Sequence, residues 1–275
     1  MRVMSWNLWW RFGPWEHRRT AILRVLRELR PDLVGLQEVW VDGEHNLAGW
    51  LAAELGMHWD WARYDRPGHW HKRLGDDSCE VGVAVLSRWP VTDRRVLRLP
   101  AEGGRDDGRC SLHVRAGADP YPVPFFTTHL NAASHESAVR RAQVTALARF
   151  VAGHRDGTPF PPVLTGDYNA LPDSDELRLL GGHRTAPAVP GQVLVDAWEY
   201  AEPTAPGATW DPANPYVADT FAPPGRIDYI HVGPPGEGGL GHVRSVRRAG
   251  DGPVDGVWPS DHAAVLAELA DEARP

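Results

Sequence analysis

Hydrophobic and polar positions along this chain follow two periods in turn. Residues 2 to 8 (RVMSWNL) form a short, nearly continuous apolar run of the kind a buried strand carries. In HRRTAILRVLREL, residues 17 to 29, Ile22, Leu26 and Leu29 recur at helical spacing, and Pro31 ends the pattern. DLVGLQEV (32 to 39) is apolar again and completes a β-α-β phrase that ends in Glu38. The phrase recurs downstream. VPFFTTHL (123 to 130) predicts a strand, SHESAVRRAQVTALARFVAG (134 to 153) a helix with Val144, Leu147 and Val151 aligned, and PPVLTGDYN (161 to 169) a strand reaching Asp167. Between the phrases, GVAVLSRWP, DRRVLRLP and RCSLHVR predict successive antiparallel strands; RIDYIHV (226 to 232) and AAVLAEL (263 to 269) predict closing strands.

Two like phrases predict an α/β four-layer sandwich: two mixed β-sheets packed on each other and flanked by helices, in one domain spanning residues 1–275. The 28 Gly and 25 Pro concentrate in residues 181 to 253, which predicts long ordered loops there. At 42% hydrophobic and 24% charged the chain is too apolar to be disordered. A net charge of -7 provides no overall basic field for a polyanion, although a local basic patch is compatible with it. Cys79 and Cys110 are the only cysteines, and two unpaired thiols suit a reducing compartment, with cytoplasm the default expectation. No apolar run approaches the roughly 18 residues of a membrane span, and no sequence feature calls for an obligate protein partner. The N-terminus reads as a strand rather than a signal peptide, and a leader cleaved within it would cut into the site that Asn7 marks.

Polar residues stand at the ends of these strands: Asn7, Glu38, His129, Asp167 with Asn169, Asp228, and Asp261 with His262. Each alone has an ordinary explanation, since Asp or Asn after a strand is usually a turn former or helix cap and a lone His is usually a hydrogen-bonded core residue. Together they carry more weight, because open α/β sheets bind ligands beyond the carboxyl ends of their strands. Alternation puts Asp167 and Asn169 on one face, with Gly166 leaving room for close approach, and pairs Arg226 with Asp228 in the same way.

The segments MSWNL, LQEV, GVAVLSRWP, TTHL, GDYN, RIDYI and SDH, in this order across residues 3 to 262, resemble the endonuclease/exonuclease/phosphatase superfamily, the deoxyribonuclease-I-like metal-dependent phosphoesterases. The resemblance implies hydrolysis of a phosphoester, with Asn7, Glu38 and, through a water, Asp261 as oxygen ligands to Mg2+ or Mn2+. No Cys/His cluster argues for zinc. It implies that Asp167 orients the attacking water, that Asn169 positions a phosphoryl oxygen, and that Asp228 holds His262 in its charged form. His129 falls where the family places a donor to the phosphate or leaving oxygen; the abasic-site endonuclease branch usually has Tyr there, which speaks against abasic-site repair. An inactive binding module with the same fold is the distant alternative.

The shared core does not choose a substrate. In MHWDWARYDRPGHWHKR (57 to 73), Trp59 and Trp61 are either the buried face of a strand or, with Trp70 and the neighbouring cations, contacts to bases, sugars and phosphates. A second loop, running into RIDYI, brings Trp210, Asn214 and Arg226 as candidates for shaping specificity. The acidic balance favours a small-molecule or single-stranded phosphoester, monoester or diester, over duplex DNA, with a DNA endonuclease or exonuclease as the alternative.

Overall fold

In a computed structural model, residues 1–43 and 45–273 are described. The elements run β1 (Arg2–Asn7), α1 (Trp15–Leu29), β2 (Leu33–Asp42), β3 (His45–Asn46), α2 (Leu47–Leu55), β4 (His58–Arg63), α3 (Gly68–Leu74), β5 (Cys79–Ser87), β6 (Val91–Arg98), β7 (Cys110–Ala116), β8 (Val123–His129), α4 (Ser137–His154), β9 (Val163–Asp167), α5 (Asp175–Gly181), β10 (Val195–Asp196), α6 (Pro215–Ala218), β11 (Asp228–Val232), β12 (Val243–Ala249) and β13 (Ala264–Leu269). They form two mixed sheets, ordered β12-β13-β1-β2-β5-β4 with β3 on β2, and β10-β11-β9-β8-β7-β6. The two sheets flanked by helices make the expected sandwich.

Each sheet is built around one parallel pair, β1/β2 and β8/β9, linked by α1 and α4. Crossover helices put both pairs side by side with their carboxyl ends at the same edge. α1 buries Ile22 and Leu26 and stops at Arg30 in the left-handed region, one residue before Pro31. α4 buries Val144, Leu147 and Val151 against the second sheet, with Phe126, Leu164 and Tyr229 in the same cluster. The stretch 57 to 73 carries the strand that Trp59 and Trp61 suggest, although Trp59 is exposed rather than part of a buried face. It is edge strand β4 and helix α3, because its first half pairs along β5 from His58↔Ser87 to Arg63↔Gly82.

The sheets approach closely at Gly35, where a Cβ would collide with the Oγ1 of Thr165 and come within 2.8 Å of that of Thr127. Only glycine permits this approach, and next to it Gln37 Nε2 donates across the interface to Thr127 Oγ1 at 3.0 Å. Close packing there brings the two strand-end edges within side-chain reach of each other. Both cysteines are buried and unpaired. Among the described residues no helix is long and apolar enough to cross a membrane.

Candidate active site

The second sheet delivers its polar residues by plain register. His129 pairs with Asp167 across β8/β9, and Asp228 pairs with Asp167 across β11/β9, so the three lie in one row on one face. In that row Asp167 Oδ2 is 3.3 Å from His129 Nε2, and Asp167 Oδ1 accepts from the backbone N–H of Asn169 at 2.9 Å. Gly166 is required beside it, since a Cβ would lie 2.7 Å from the carbonyl oxygen of Thr128. Asn169 has a positive φ of 48°, and its Nδ2 donates to Leu130 O at 3.0 Å, so in this structure its amide fastens the strand ends together.

The first sheet needs a distortion to do the same job. Register between β2 and β5 shifts between Leu36 and Val39, leaving an extra residue on β2, and Glu38 sits there with φ 54°. Such a bulge re-aims a side chain that regular alternation would send elsewhere. Glu38 thereby receives the amide of Asn7, whose Nδ2 donates to Glu38 Oε1 at 3.2 Å and to Asp167 Oδ2 at 3.0 Å. That one amide links the two sheets. Asn7 Oδ1 meanwhile accepts from the backbone N–H of Trp9 at 2.9 Å.

The SDH segment before β13 completes the cluster. Ser260 Oγ donates to Asn7 O at 2.7 Å, and Trp6 Nε1 donates to His262 O at 3.0 Å, which fixes the segment on β1. His262 Nδ1 then lies 2.9 Å from Asp228 Oδ2, with its Nε2 3.9 Å from both Asp167 and Asp261. Arg18 staples the adjacent loop by donating to the carbonyls of Leu8, Trp9, Trp10, Phe12 and Pro259.

Asn7, Glu38, His129, Asp167, Asp228, Asp261 and His262 are buried, Glu38 being the most accessible of them at 8%, and Asn169 is half-buried. Burial raises the Glu38 carboxyl above its ordinary range, His262 and the Asn7 hydrogen bond opposing. Burial, reinforced by Asp228, pushes Asp167 up to about 6; burial, with Glu38 adding to it, pushes Asp261 up to about 7. For His262 burial favours the neutral ring, but Asp228, Asp261 and Asp167 outweigh it and hold the imidazole well above its usual value. His129 goes the other way: burial, together with Arg109 and His262, keeps it neutral. The two histidines are thus driven apart into one charged and one neutral ring.

A crowded set of buried carboxylates calls for a cation. Ligand atoms of Asp167, Asp228 and His262 lie within 4.8 Å of one another, a spacing compatible with a metal. A charged imidazole is a poor ligand, however, and Asp228 already occupies Nδ1. Glu38 fits better: its Oε2 is buried without a partner, a hard oxygen atom of the type Mg2+ or Mn2+ prefers.

Several sequence candidates stand differently from expectation. Arg226 does not share the cleft with Asp228. It precedes β11, donates to Asp196 Oδ2 at 2.7 Å and lies over the ring of Tyr229, on the opposite face of the strand. Trp70 is 2% exposed, buried edge-on against Trp10 and His129, so its ring has no open face for stacking a substrate. Asn214 donates to Ser260 O at 2.8 Å and caps α6, a structural tie between its loop and the SDH segment. Trp210 does reach the site, edge-on to His262 with ring centroids 4.9 Å apart.

Two residues of the site carry no motif in the sequence. Tyr64 Oη is 2.9 Å from His129 Nδ1. Arg109 is 4% exposed and lies over the faces of Tyr64 and Trp70; its Nε and Nη1 are buried without hydrogen-bond partners and its nearest carboxylate is Asp107 at 3.7 Å. An Arg at the mouth of a strand is too common to notice, and only its unsatisfied donors beside His129 mark it.

Comparison with known proteins agrees with this geometry. "Protein angel" of Drosophila melanogaster is 29% identical over 178 residues, 62% of this chain and 48% of that protein, so the chain spans about half the length of this relative. Among solved structures, the human Nocturnin catalytic domain with bound sulfate anion superposes with a TM-score of 0.70 at 20% identity, covering 98% of this chain and 94% of that one. Truncated Caenorhabditis elegans TDP2 gives 0.68 at 20% identity, covering 98% and 96%. Residues 4–262 match the Endonuclease/Exonuclease/phosphatase family, and the chain belongs to that family.

Proposed function

We propose that the chain hydrolyses a small or single-stranded phosphoester with the aid of Mg2+ or Mn2+ held by Glu38, by Asn7 and, through a water, by Asp261. The observation that carries this reading is the unpartnered Oε2 of Glu38 within a buried cluster that also holds Asp167, Asp228 and Asp261. When bound, a divalent cation there neutralises phosphoryl oxygens and makes a water more acidic. Asp167, with its proton affinity raised to about 6, orients the attacking water and accepts its proton near neutral pH. His262, kept charged by Asp228, stabilises negative charge building on the phosphoryl group. The neutral His129, held by Tyr64, offers an N–H to the phosphate or the leaving oxygen, and Asn169, whose backbone N–H donates to Asp167, positions a phosphoryl oxygen. The unsatisfied donors of Arg109 suit a phosphoryl oxygen.

Charge distribution favours a small or single-stranded substrate over duplex DNA. Arg63 pairs with Glu80, Arg66 with Asp106, Arg94 with Asp60 and Arg98 with Asp65 and Asp106, which leaves only Lys72 and Arg73, of the Lys and Arg in residues 57 to 73, without an ion pair among the described residues. Duplex affinity depends on a row of cations free to displace counterions. The test compares supercoiled plasmid, a short single-stranded oligonucleotide and small mono- and diesters at equal Mg2+ or Mn2+, across salt and with excess chelator. The expected result is metal-dependent turnover of small or single-stranded esters. Undiminished activity in chelator would end the metal reading, and efficient plasmid nicking that falls steeply with salt, with little turnover of small esters, would replace the substrate reading with a DNA nuclease.

A further inference from the structure

A cavity of about 590 Å³ lies outside the carboxylate cluster and shares no residue with it. That size suits a small organic ligand. Four of its wall residues are tryptophans, Trp15, Trp40, Trp50 and Trp59, brought from α1, β2, α2 and β4. Trp15 and Trp40 meet edge to face at 5.3 Å, and the Arg11 guanidinium fills the corner between them, 4.2 Å from one ring and 5.3 Å from the other. Arg11 is held there by Asp42 at 2.9 Å. Arg19 lies over Trp50 at 5.2 Å.

Trp59 has a different role. Its six-membered ring rests against α2 at Gly49, where a Cβ would come within 3.0 Å of it, yet 41% of the residue remains exposed. The side chain is therefore packed on the helix side and, as a wall residue, accessible from the cavity. An exposed large aromatic on an edge strand contributes little to the core, and the glycine beneath it leaves room for the ring.

The walls select among ligands. A cation is disfavoured because two guanidiniums already occupy indole faces. A bare inorganic anion finds Arg11 neutralised by Asp42 and the remaining surface aromatic. An acyl chain has no use for the charged pair. A planar ring with hydrogen-bonding edges gains from all of it: it stacks on Trp59, presents its edge to Asp42 and Arg11, and carries an anionic substituent toward Arg19. A pyranose would use the indoles but gain nothing from stacked guanidiniums. We infer that this cavity is a binding site for a nucleobase, taken from a free nucleotide or from a single strand. The inference does not depend on the hydrolytic roles proposed for the carboxylate cluster.

Calorimetric titration in excess chelator, where metal-dependent turnover is suppressed, tests it. The ligands are the four ribonucleoside monophosphates, a tetranucleotide, cellobiose and inorganic phosphate. Nucleotides should bind the native protein, and Trp59→Ala should weaken them about tenfold or more, in line with the loss of one base stack. Gly49→Ala should weaken them by displacing the ring. Both variants should melt like the native protein, and Trp59→Ala should hydrolyse bis-p-nitrophenyl phosphate at the native rate. A tetranucleotide that binds more tightly than the monophosphates assigns the base to a strand, and equal binding assigns it to a free nucleotide. Absence of nucleotide binding, unchanged affinity in Trp59→Ala, or preference for cellobiose or phosphate overturns the inference. Loss of ester hydrolysis with Trp59-dependent binding intact would instead count against the proposed function alone.

Discussion

The parallel pairs β1/β2 and β8/β9 present their polar residues by different means. On the second sheet, ordinary register sets His129, Asp167 and Asp228 in a row, and no residue of that row has an unusual backbone. On the first, Glu38 reaches the site only because β2 carries a bulge and Glu38 adopts a positive φ, a conformation that costs on the order of 1–3 kcal/mol for a residue with a side chain. The difference follows the chemistry each half supplies. Imidazoles and carboxylates that pass protons need neighbours at hydrogen-bond distance, which adjacent strands provide. A ligand for a cation must stand with an oxygen unengaged, and a bulge removes the side chain from the ladder of partners. Among the strand residues that carry the site the strain falls on Glu38, whereas on the second sheet a positive φ enters the site only past the end of β9, at Asn169.

Five substitutions break or sharpen this contrast. Glu38→Gln keeps the shape of the bulge but removes the charge, and should lower metal-dependent turnover by about three orders of magnitude or more, while the thermal midpoint holds or rises. A parallel fall in midpoint and activity would show that Glu38 serves the fold instead. On the second sheet the pair Asp228 and His262 should act as a unit. Asp228→Asn and His262→Ala should each cost about 100-fold or more in turnover, and the double variant little beyond the worse single one; fully additive losses would separate them.

Smaller effects concern stability. Gly35→Ala places a methyl group against Thr165 and Thr127 where the sheets meet, and should cost about 2–3 kcal/mol in chemical denaturation. A neutral result would mean that the close approach is not what joins the two halves. The last contrast is in pH. The second sheet buries two histidines outside the site, His113 and His231, each pushed down to about 4 by burial, whereas the first sheet's strands bury none among the described residues. A histidine whose folded value lies below its unfolded one stabilises fully above the unfolded value near 6.5, and that stability is lost as pH falls toward 4. His113→Phe should therefore reduce the stability lost between pH 7 and pH 5 by about 2 kcal/mol, read from denaturant midpoints at the two pH values. An unchanged difference would place the acid sensitivity elsewhere.

Much of this was legible before any coordinates. The β-α-β phrases could be read because α1 and α4 each bury one stripe and the parallel strands bury both faces, so period and element coincide at Ile22, Leu26, Val144 and Val151. Strand-end residues were legible for a related reason: a polar side chain that closes an apolar run has few places to go. Edge elements were harder. Residues 57 to 73 combine an edge strand that leaves Trp59 exposed with a short helix that buries Trp70, so aromatic content did not distinguish wall from surface.

What the sequence determined by itself is the two β-α-β phrases and the main strands between and after them, though not α2, α5, α6, β10 or β12, together with the presence of an acid, an amide or an imidazole on or just past each central strand, and the family these motifs identify. These depend on local period and spacing, which the chain carries along its own length. Tertiary structure alone decided which of those residues meet. The bulge at Glu38, the turn of Arg226 to the far face of β11, the unsatisfied guanidinium of Arg109 and the convergence of four tryptophans from four elements all depend on how separate segments pack. Contacts between residues distant in sequence arise from close-packed volume and hydrogen-bond satisfaction in three dimensions, and neither quantity has a period along the chain.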